Sequence, residues 1–119
     1  MKQPLYMLIV IKNSIDPKYA VVGAAHASVA SFIKWEDDDL TYKWAHEVFH
    51  KHIKIATPDQ FEKAKSDKYG DKIIITESNL NGEEVAIVYR IVEEYPTFLN
   101  TLPKWDHQCI KLLISEHNC

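Results

Sequence analysis

A continuous apolar run at residues 6–11 most constrains what this chain can fold into. Its six residues, YMLIVI, are all aliphatic, sulfur-containing or aromatic, so a strand formed from them must be covered on both faces. The run ends at polar residues 12–14, and Asp16 and Pro17 then favour the first turn of a helix. The pattern predicts a buried strand followed directly by a helix, as in α/β folds.

Small side chains dominate this helix, which we predict over residues 18–34. Eight of its residues are Ala, Gly or Ser, so the helix can pack closely against a sheet. Gly23 inside a helix costs up to about 1 kcal/mol relative to Ala. Its presence therefore predicts a close backbone approach at that position.

Later segments alternate between helix and strand signals. We predict helices at 40–50, from Thr57 onward, and around 98–102 and 105–116, with strands at 52–56, 73–76 and 85–89. Asn81-Gly82 is a strong hairpin signal between the last two strands. The order β-α-α-β-α-β-β-α predicts a three-layer αβα domain with a mixed four-stranded sheet. The hairpin makes strands three and four antiparallel, and helical crossovers make the others at least partly parallel.

Composition limits the class of protein further. The 119 residues suit a single domain, 1–119. Fourteen basic and 17 acidic residues give a net charge of -3, which excludes a strongly basic nucleic-acid coat but not a local basic patch. We expect Cys109 and Cys119 to be free thiols in a reducing cytosol. No secretion signal and no membrane-length apolar run is visible, so we expect a soluble cytoplasmic protein without a membrane partner.

One metal-binding motif occurs in the chain. His46, Glu47 and His50 match H-E-x-x-H, in which two histidines hold zinc and the glutamate acts as general base. On a helix over 40–50, however, Leu40 and Trp44 form the apolar face and both histidines lie opposite it. The pattern therefore favours solvent-exposed histidines over a zinc hydrolase, and we expect no metal or other cofactor.

Three further polar residues are candidates for a site. Lys18 begins a helix, where its charge is unfavourable, although an exposed lysine is the ordinary alternative. Glu77 follows the strand 73–76, and strand ends often line the crevice of an α/β sheet; the alternative is a solvated hairpin carboxylate. His26 lies among small residues and must find a partner or a cleft. It is either a hydrogen-bonded histidine of the core or an interface, or a functional group at the mouth of the sheet.

Taken in order, these segments resemble the first part of peptidyl-tRNA hydrolase type II. The apolar strand, the lysine-bearing helix start and the helix run 21–29, VVGAAHASV, carry the resemblance, and Ala25-His26-Ala27 is its closest part. Residues 75–79, ITESN, with the hairpin after them, are similar to the family's strand that ends in an Asp-Ala-Gly turn. The resemblance covers residues 6–90 in element order and implies a peptidyl-tRNA hydrolase II-like fold.

The chain departs from the family at several positions. Aligned on His26, the active lysine of the family falls at Tyr19, one residue after Lys18, and its helix glutamine falls at Gly23. The acidic residue of the turn becomes Glu77, and the Arg-Thr-Gln that follows becomes residues 80–82, LNG. The family's C-terminal Val-Thr-Gly element has no counterpart. A diverged or inactive branch of the superfamily explains the sequence as well as an active hydrolase does.

The resemblance implies hydrolysis of the ester between a peptide and the 3′ end of tRNA. In that reaction Lys18 would stabilise the oxyanion or hold the terminal phosphate. Glu77 would orient or deprotonate the attacking water, and Asn81 would position it. His26 would support the helix. The implied partners are a tRNA substrate and, because related folds often pair, a second copy in a homodimer.

A non-catalytic binding module on the same fold is the main alternative. The chain keeps the packing helix but lacks polar residues that the family uses. Aromatic side chains such as Trp35, Tyr95 and Phe98 would then provide contact surfaces for another protein.

Overall fold

A computed structural model describes residues 4–105, which form four strands and four helices. In chain order these are β1 (Tyr6–Lys12), α1 (Pro17–Trp35), α2 (Asp39–Lys43), β2 (His50–Ala56), α3 (Pro58–Ala64), β3 (Lys72–Glu77), β4 (Glu83–Tyr89) and α4 (Thr97–Asn100). No helix among the described residues is long and apolar enough to span a bilayer.

The strands form one mixed sheet in the order β2-β1-β4-β3. β1 and β2 are parallel, and β4 is antiparallel to both of its neighbours. This confirms the predicted α/β fold with a mixed four-stranded sheet. Strands β1, β2 and β3 therefore end at the same edge, at Lys12, Ala56 and Glu77. We refer to this edge as the carboxyl end of the sheet.

Helices cover both faces of the sheet, giving three layers. On one face α1 and the segment after α2 pack against Met7, Ile9 and Ile11 of β1. On the other face α3 and α4 pack against Leu8 and Val10. Both sets of β1 side chains are almost completely buried, as the apolar run at 6–11 predicts.

Helix α1 approaches the sheet closely at Gly23. A Cβ at this position would stand 3.1 Å from Val85 Cγ2, which confirms the predicted close approach. The helix begins where predicted, because the Asp16 side chain accepts a hydrogen bond from the backbone N–H of Lys18 at 2.9 Å and Pro17 occupies the first turn.

The helix predicted at 40–50 is present over residues 39–48, but only its first part is α-helical. Helix α2 ends at Lys43, residues Trp44–Val48 form a π-helical turn, and Phe49 adopts a left-handed conformation with φ 60°. The indole Nε1 of the buried Trp44 donates to the carbonyl of His50 at 2.6 Å. This bond turns the chain into β2, which therefore starts at His50 rather than at residue 52.

After α4 the chain adds a short extended segment to the outer edge of β2. The backbone N–H of Ile55 donates to Pro103 O at 2.8 Å, and that of Trp105 donates to Ile53 O at 2.7 Å. The helix predicted around 105–116 is thus absent at Trp105. The rest of that prediction, and the two cysteines at positions 109 and 119, lie outside the described residues.

Candidate active site

The contact between α1 and β4 is a reference point from which the positions of Lys18 and Glu77 along the sheet can be found. Lys18 precedes Gly23 by five residues, which is about 7.5 Å along a helix axis. Glu77 pairs with Glu83, two residues before Val85, which is about 7 Å along a strand. Both displacements from the Gly23–Val85 contact run toward the carboxyl end of the sheet. Lys18 and Glu77 therefore lie toward the same end of the sheet.

Glu77 is a buried carboxylate, with 5% of its surface exposed. Its Oε1 accepts two hydrogen bonds from Asn79, one from the backbone N–H at 3.0 Å and one from Nδ2 at 3.1 Å. Within residues 4–105, Oε2 accepts no hydrogen bond and the carboxylate forms no ion pair. A carboxylate held by one oxygen leaves the other to take a proton from a bound water.

The turn after β3 fixes this carboxylate and carries Asn81. Residues Ser78–Leu80 form one 3-10 turn, and Asn81 and Gly82 follow with φ 56° and 79°. The N–H of Gly82 donates to Glu77 O at 2.9 Å and closes the turn. The exposed Asn81 thus lies on the turn that Glu77 caps. The predicted hairpin is present, although its loop is longer than two residues.

Sequence reasoning missed Asn79. The signal was local: an acidic side chain followed two residues later by Asn, a spacing at which side chain and backbone hydrogen-bond readily in turns. The pattern is common outside functional sites, and only the turn geometry shows that both Asn79 donors meet one oxygen of Glu77.

Two lysines supply positive charge near this end. Lys18 is exposed, with its Nζ 5.0 Å from the centroid of the Tyr19 ring. Lys12 ends β1, and its Nζ lies 4.8 Å from the centroid of Phe61. Lys34 follows Lys18 by 16 residues on α1, about 24 Å along the helix. Lys12 and Lys18 therefore both lie toward this end, Lys12 on the α3 face of the sheet and Lys18 on the α1 face, whereas Lys34 does not.

A further lysine is engaged in ion pairs. Lys65 Nζ contacts Glu84 at 2.7 Å and Glu62 at 3.3 Å. The hydrogen bond to Glu84 raises the pKa of Lys65 above its ordinary value. Because its charge is balanced by two carboxylates, Lys65 adds little positive charge to this end of the sheet.

His26 lies apart from these residues. It follows Lys18 by eight residues, about 12 Å along α1, and its side chain is exposed. A core position is therefore excluded. A position in an interface, and the supporting role that the family resemblance implies, stay predictions.

The H-E-x-x-H residues do not share a helix face. His46 lies in the π-helical turn and its ring contacts Tyr42, with centroids 4.2 Å apart, whereas His50 begins β2. Both side chains are exposed, as predicted. Among residues 4–105 no group of three or more His, Cys, Asp or Glu side chains is arranged to hold a metal ion.

A cavity of about 490 Å³ lies at the opposite end of the sheet, beside the end of β4 and the start of β3. Its wall includes Arg90, which contacts Asp38 at 2.6 Å and Asp71 at 3.2 Å. The hydrogen bond from Arg90 lowers the pKa of Asp38 below its ordinary value. Since both carboxylates already engage Arg90, we interpret this cluster as a structural link between α2, β3 and β4.

Comparison with known proteins gives no assignment. No protein-family model matches this sequence, and a search of the curated proteins finds no match. The function must therefore be argued from the residues at the carboxyl end of the sheet.

Proposed function

We propose that this chain hydrolyses the ester that joins a peptide to the 3′ end of tRNA, in the manner of peptidyl-tRNA hydrolase type II. The observation that carries the proposal is the buried Glu77, whose Oε2 is unengaged among the described residues. It occupies the same end of the sheet as Lys18. The observed order β-α-α-β-α-β-β-α and the position of Ala25-His26-Ala27 on α1 also support a peptidyl-tRNA hydrolase II-like fold.

In the proposed reaction, Glu77 takes a proton from a water molecule as the water oxygen attacks the ester carbonyl carbon. Lys18 stabilises the negative charge that develops on the carbonyl oxygen, or holds the terminal phosphate. The bond to the ribose oxygen then breaks, and the proton held by Glu77 passes to that oxygen. Asn81 positions the water. The products are a peptide carboxylate and a free tRNA 3′ end.

The test is release of peptide from a peptidyl-tRNA whose amino group is blocked. Loss of a general base slows such a step by about 10²- to 10⁴-fold, and we expect a loss of this order for Glu77→Gln. Glu83→Gln is the matched control, because Glu83 is exposed and pairs directly with Glu77 across the hairpin. We expect Lys18→Gln to slow release and Lys34→Gln to leave it unchanged. The proposal is wrong if the unaltered protein releases peptide no faster than a Lys18→Ala/Glu77→Ala double variant.

A non-catalytic binding module is the second candidate. It is favoured by one observation, the exposed large apolar side chains on α1, among them Val21, Val29 and Ile33. Contiguous apolar surface of this kind often marks a protein contact site. Recovery of a stoichiometric protein partner without RNA, together with absent esterase activity, would support this candidate over the first.

A further inference from the structure

Strand β2 carries a row of basic side chains on one face of the sheet. His50, His52 and Lys54 occupy alternate positions of the strand, so their side chains point to the same face. His52 and Lys54 pair with Leu8 and Val10 of β1, whose side chains pack on the α3 and α4 face. Three basic side chains therefore lie in a row on that face.

A fourth basic side chain faces Lys54 from the segment that runs beside β2. Lys104 forms an antiparallel bridge with Lys54, and the backbone hydrogen bonds at this bridge join the neighbours of the two lysines rather than the lysines themselves. In a pair of this kind the Cβ atoms lie about 4.5–5.5 Å apart and the side chains share a face. Like charges placed directly opposite each other destabilise a sheet. We refer to His50, His52, Lys54 and Lys104 as the basic cluster.

No carboxylate among residues 4–105 lies within ion-pair distance of the basic cluster. The four side chains instead act on one another. Burial and the charge of Lys104 lower the pKa of Lys54 below its ordinary value. Burial and the charges of Lys54, Lys104 and His50 lower the pKa of His52 in the same direction. The positive charge of the basic cluster is therefore not compensated by the described part of the chain.

Lys54 forms the base of the basic cluster, with 4% of its surface exposed. Its Nζ donates to the carbonyl of Asn100 at 3.0 Å and donates no other hydrogen bond to the described residues. Asn100 is itself fixed, because its side chain accepts from Tyr6 OH at 2.7 Å and donates to Tyr95 O at 3.1 Å. The Tyr6 ring also stacks on His52. A buried ammonium group with unused donors is thus held beside exposed basic side chains.

We propose that the basic cluster binds a doubly charged phosphate group, either free phosphate or the terminal phosphate of a small molecule. A buried charge without a partner is costly, and an anion supplies the partner that the described residues lack. Two lysines carry two positive charges, so a dianion balances them, whereas one carboxylate leaves a charge unpaired. A phosphate monoester carries a charge of about -1.5 to -2 near neutral pH and offers three acceptor oxygens. The two imidazoles add N–H donors.

This site is separate from the candidate active site. Strands β2 and β3 are the opposite edges of the sheet, three strand spacings or about 14 Å apart, and Glu77 ends β3. The inference therefore does not depend on the proposed esterase activity, and phosphate binding is measured without a peptidyl-tRNA.

Titration of the ¹⁵N-labelled protein with inorganic phosphate, at constant ionic strength and about pH 7.5, tests the proposal. We expect saturable shifts of the backbone amide signals of His52, Lys54 and Lys104, and none of Lys18. Bound phosphate should also raise the pKa of His52, because a nearby anion favours the protonated ring. Sulfate, a dianion, should act in the same way. Acetate and dimethyl phosphate, which carry one charge, should produce no saturable shift.

Lys104→Gln tests the role of the opposed lysines without altering the core, because Lys104 is exposed. We expect this variant to bind phosphate about tenfold more weakly or worse, since it loses a hydrogen bond between two charged groups. Lys34→Gln is the matched control. It removes the same charge from an exposed lysine of α1 and should leave the affinity for phosphate unchanged.

Glycerol 3-phosphate distinguishes the two sources of the phosphate group. Tighter binding than that of inorganic phosphate would support a small phosphorylated molecule, and equal or weaker binding would support free phosphate. The absence of saturable shifts in the basic cluster would overturn the proposal, as would an equal loss of affinity in Lys104→Gln and Lys34→Gln. Acetate binding as tight as that of phosphate would also overturn it. Dimethyl phosphate binding as tight as that of phosphate would overturn it in favour of a nucleic-acid phosphodiester.

Discussion

At the scale of single residues, His52 of β2 lies in surroundings that disfavour its protonated form. The His52 ring stacks on Tyr6 with centroids 3.8 Å apart, and the buried Lys54 donates from Nζ to Asn100 O at 3.0 Å. Burial lowers the pKa of His52 below its ordinary value of 6.5, and the nearby Lys54 and Lys104 lower it further. The folded protein therefore resists protonation at a position where the unfolded chain accepts a proton.

This difference predicts a loss of stability in mild acid. The neutral His52 ring contributes fully to the free energy of unfolding above the pKa that His52 has in the unfolded chain. This contribution is lost as pH falls from there toward the lower pKa that His52 has in the folded protein. We expect the free energy of unfolding, measured by denaturant titration, to decrease as pH falls below the ordinary histidine pKa of 6.5. His52→Phe should make that decrease smaller.

A variant at Lys104 tests whether nearby cations lower the pKa of His52. Lys104→Gln removes one of the cations that lower the pKa of His52. We expect an NMR titration of the His52 ring to give a higher pKa in this variant than in the unaltered protein. An equal or lower pKa would contradict the electrostatic explanation.

The sequence points to some residues of the candidate site, but it misses Asn79 for a local reason. Lys18 and Glu77 could be proposed because a helix start and a strand end are recognisable in sequence. The two hydrogen bonds from Asn79 to Glu77 depend on the 3-10 turn at Ser78–Leu80. A hairpin signal at Asn81-Gly82 does not specify that turn.

At the scale of elements, the packing of α1 on β4 depends on the missing side chain at Gly23. Since a Cβ there already lies 3.1 Å from the completely buried Val85, Gly23→Leu should crowd the core. Overpacking of this kind costs about 1–3 kcal/mol, and we expect the free energy of unfolding to fall by that amount. Ala25→Leu is the control, because Ala25 is an exposed small residue on the same helix. An equal loss in both variants would exclude close packing as the cause.

A comparison of the elements also shows where the spacing of apolar residues fails to predict secondary structure. The strands and α1 are predicted because their patterns agree with their tertiary surroundings. In residues 40–50 the apolar spacing of a helix is present, yet the hydrogen bond from Trp44 to the His50 carbonyl and the left-handed Phe49 end the helix early. A hydrogen bond between two residues only six apart overrides the apolar pattern there, and sequence periodicity does not register it.

At the scale of the whole molecule, a net charge of -3 must be reconciled with the RNA substrate that the proposed function requires. Lys12 and Lys18 lie toward the carboxyl end of the sheet, and Lys65 is paired with Glu84 and Glu62. Cations as sparse as Lys12 and Lys18 suit the single-stranded 3′ end of a tRNA better than its double-stranded body. The proposed function therefore predicts a weak dependence of binding on salt, since each phosphate contact contributes to that dependence.

For two phosphate contacts with a single strand, the slope of log K against log salt concentration should be about -1.4. Fluorescence anisotropy with a short RNA that ends in CCA measures it. Lys12→Gln and Lys18→Gln should each make the slope shallower by about 0.7, because each removes one contact. Lys34→Gln should leave it unchanged, since Lys34 lies at the other end of α1. All three variants change the net charge equally, so equal slopes in the three would show that general charge, rather than contacts from Lys12 and Lys18, governs RNA binding.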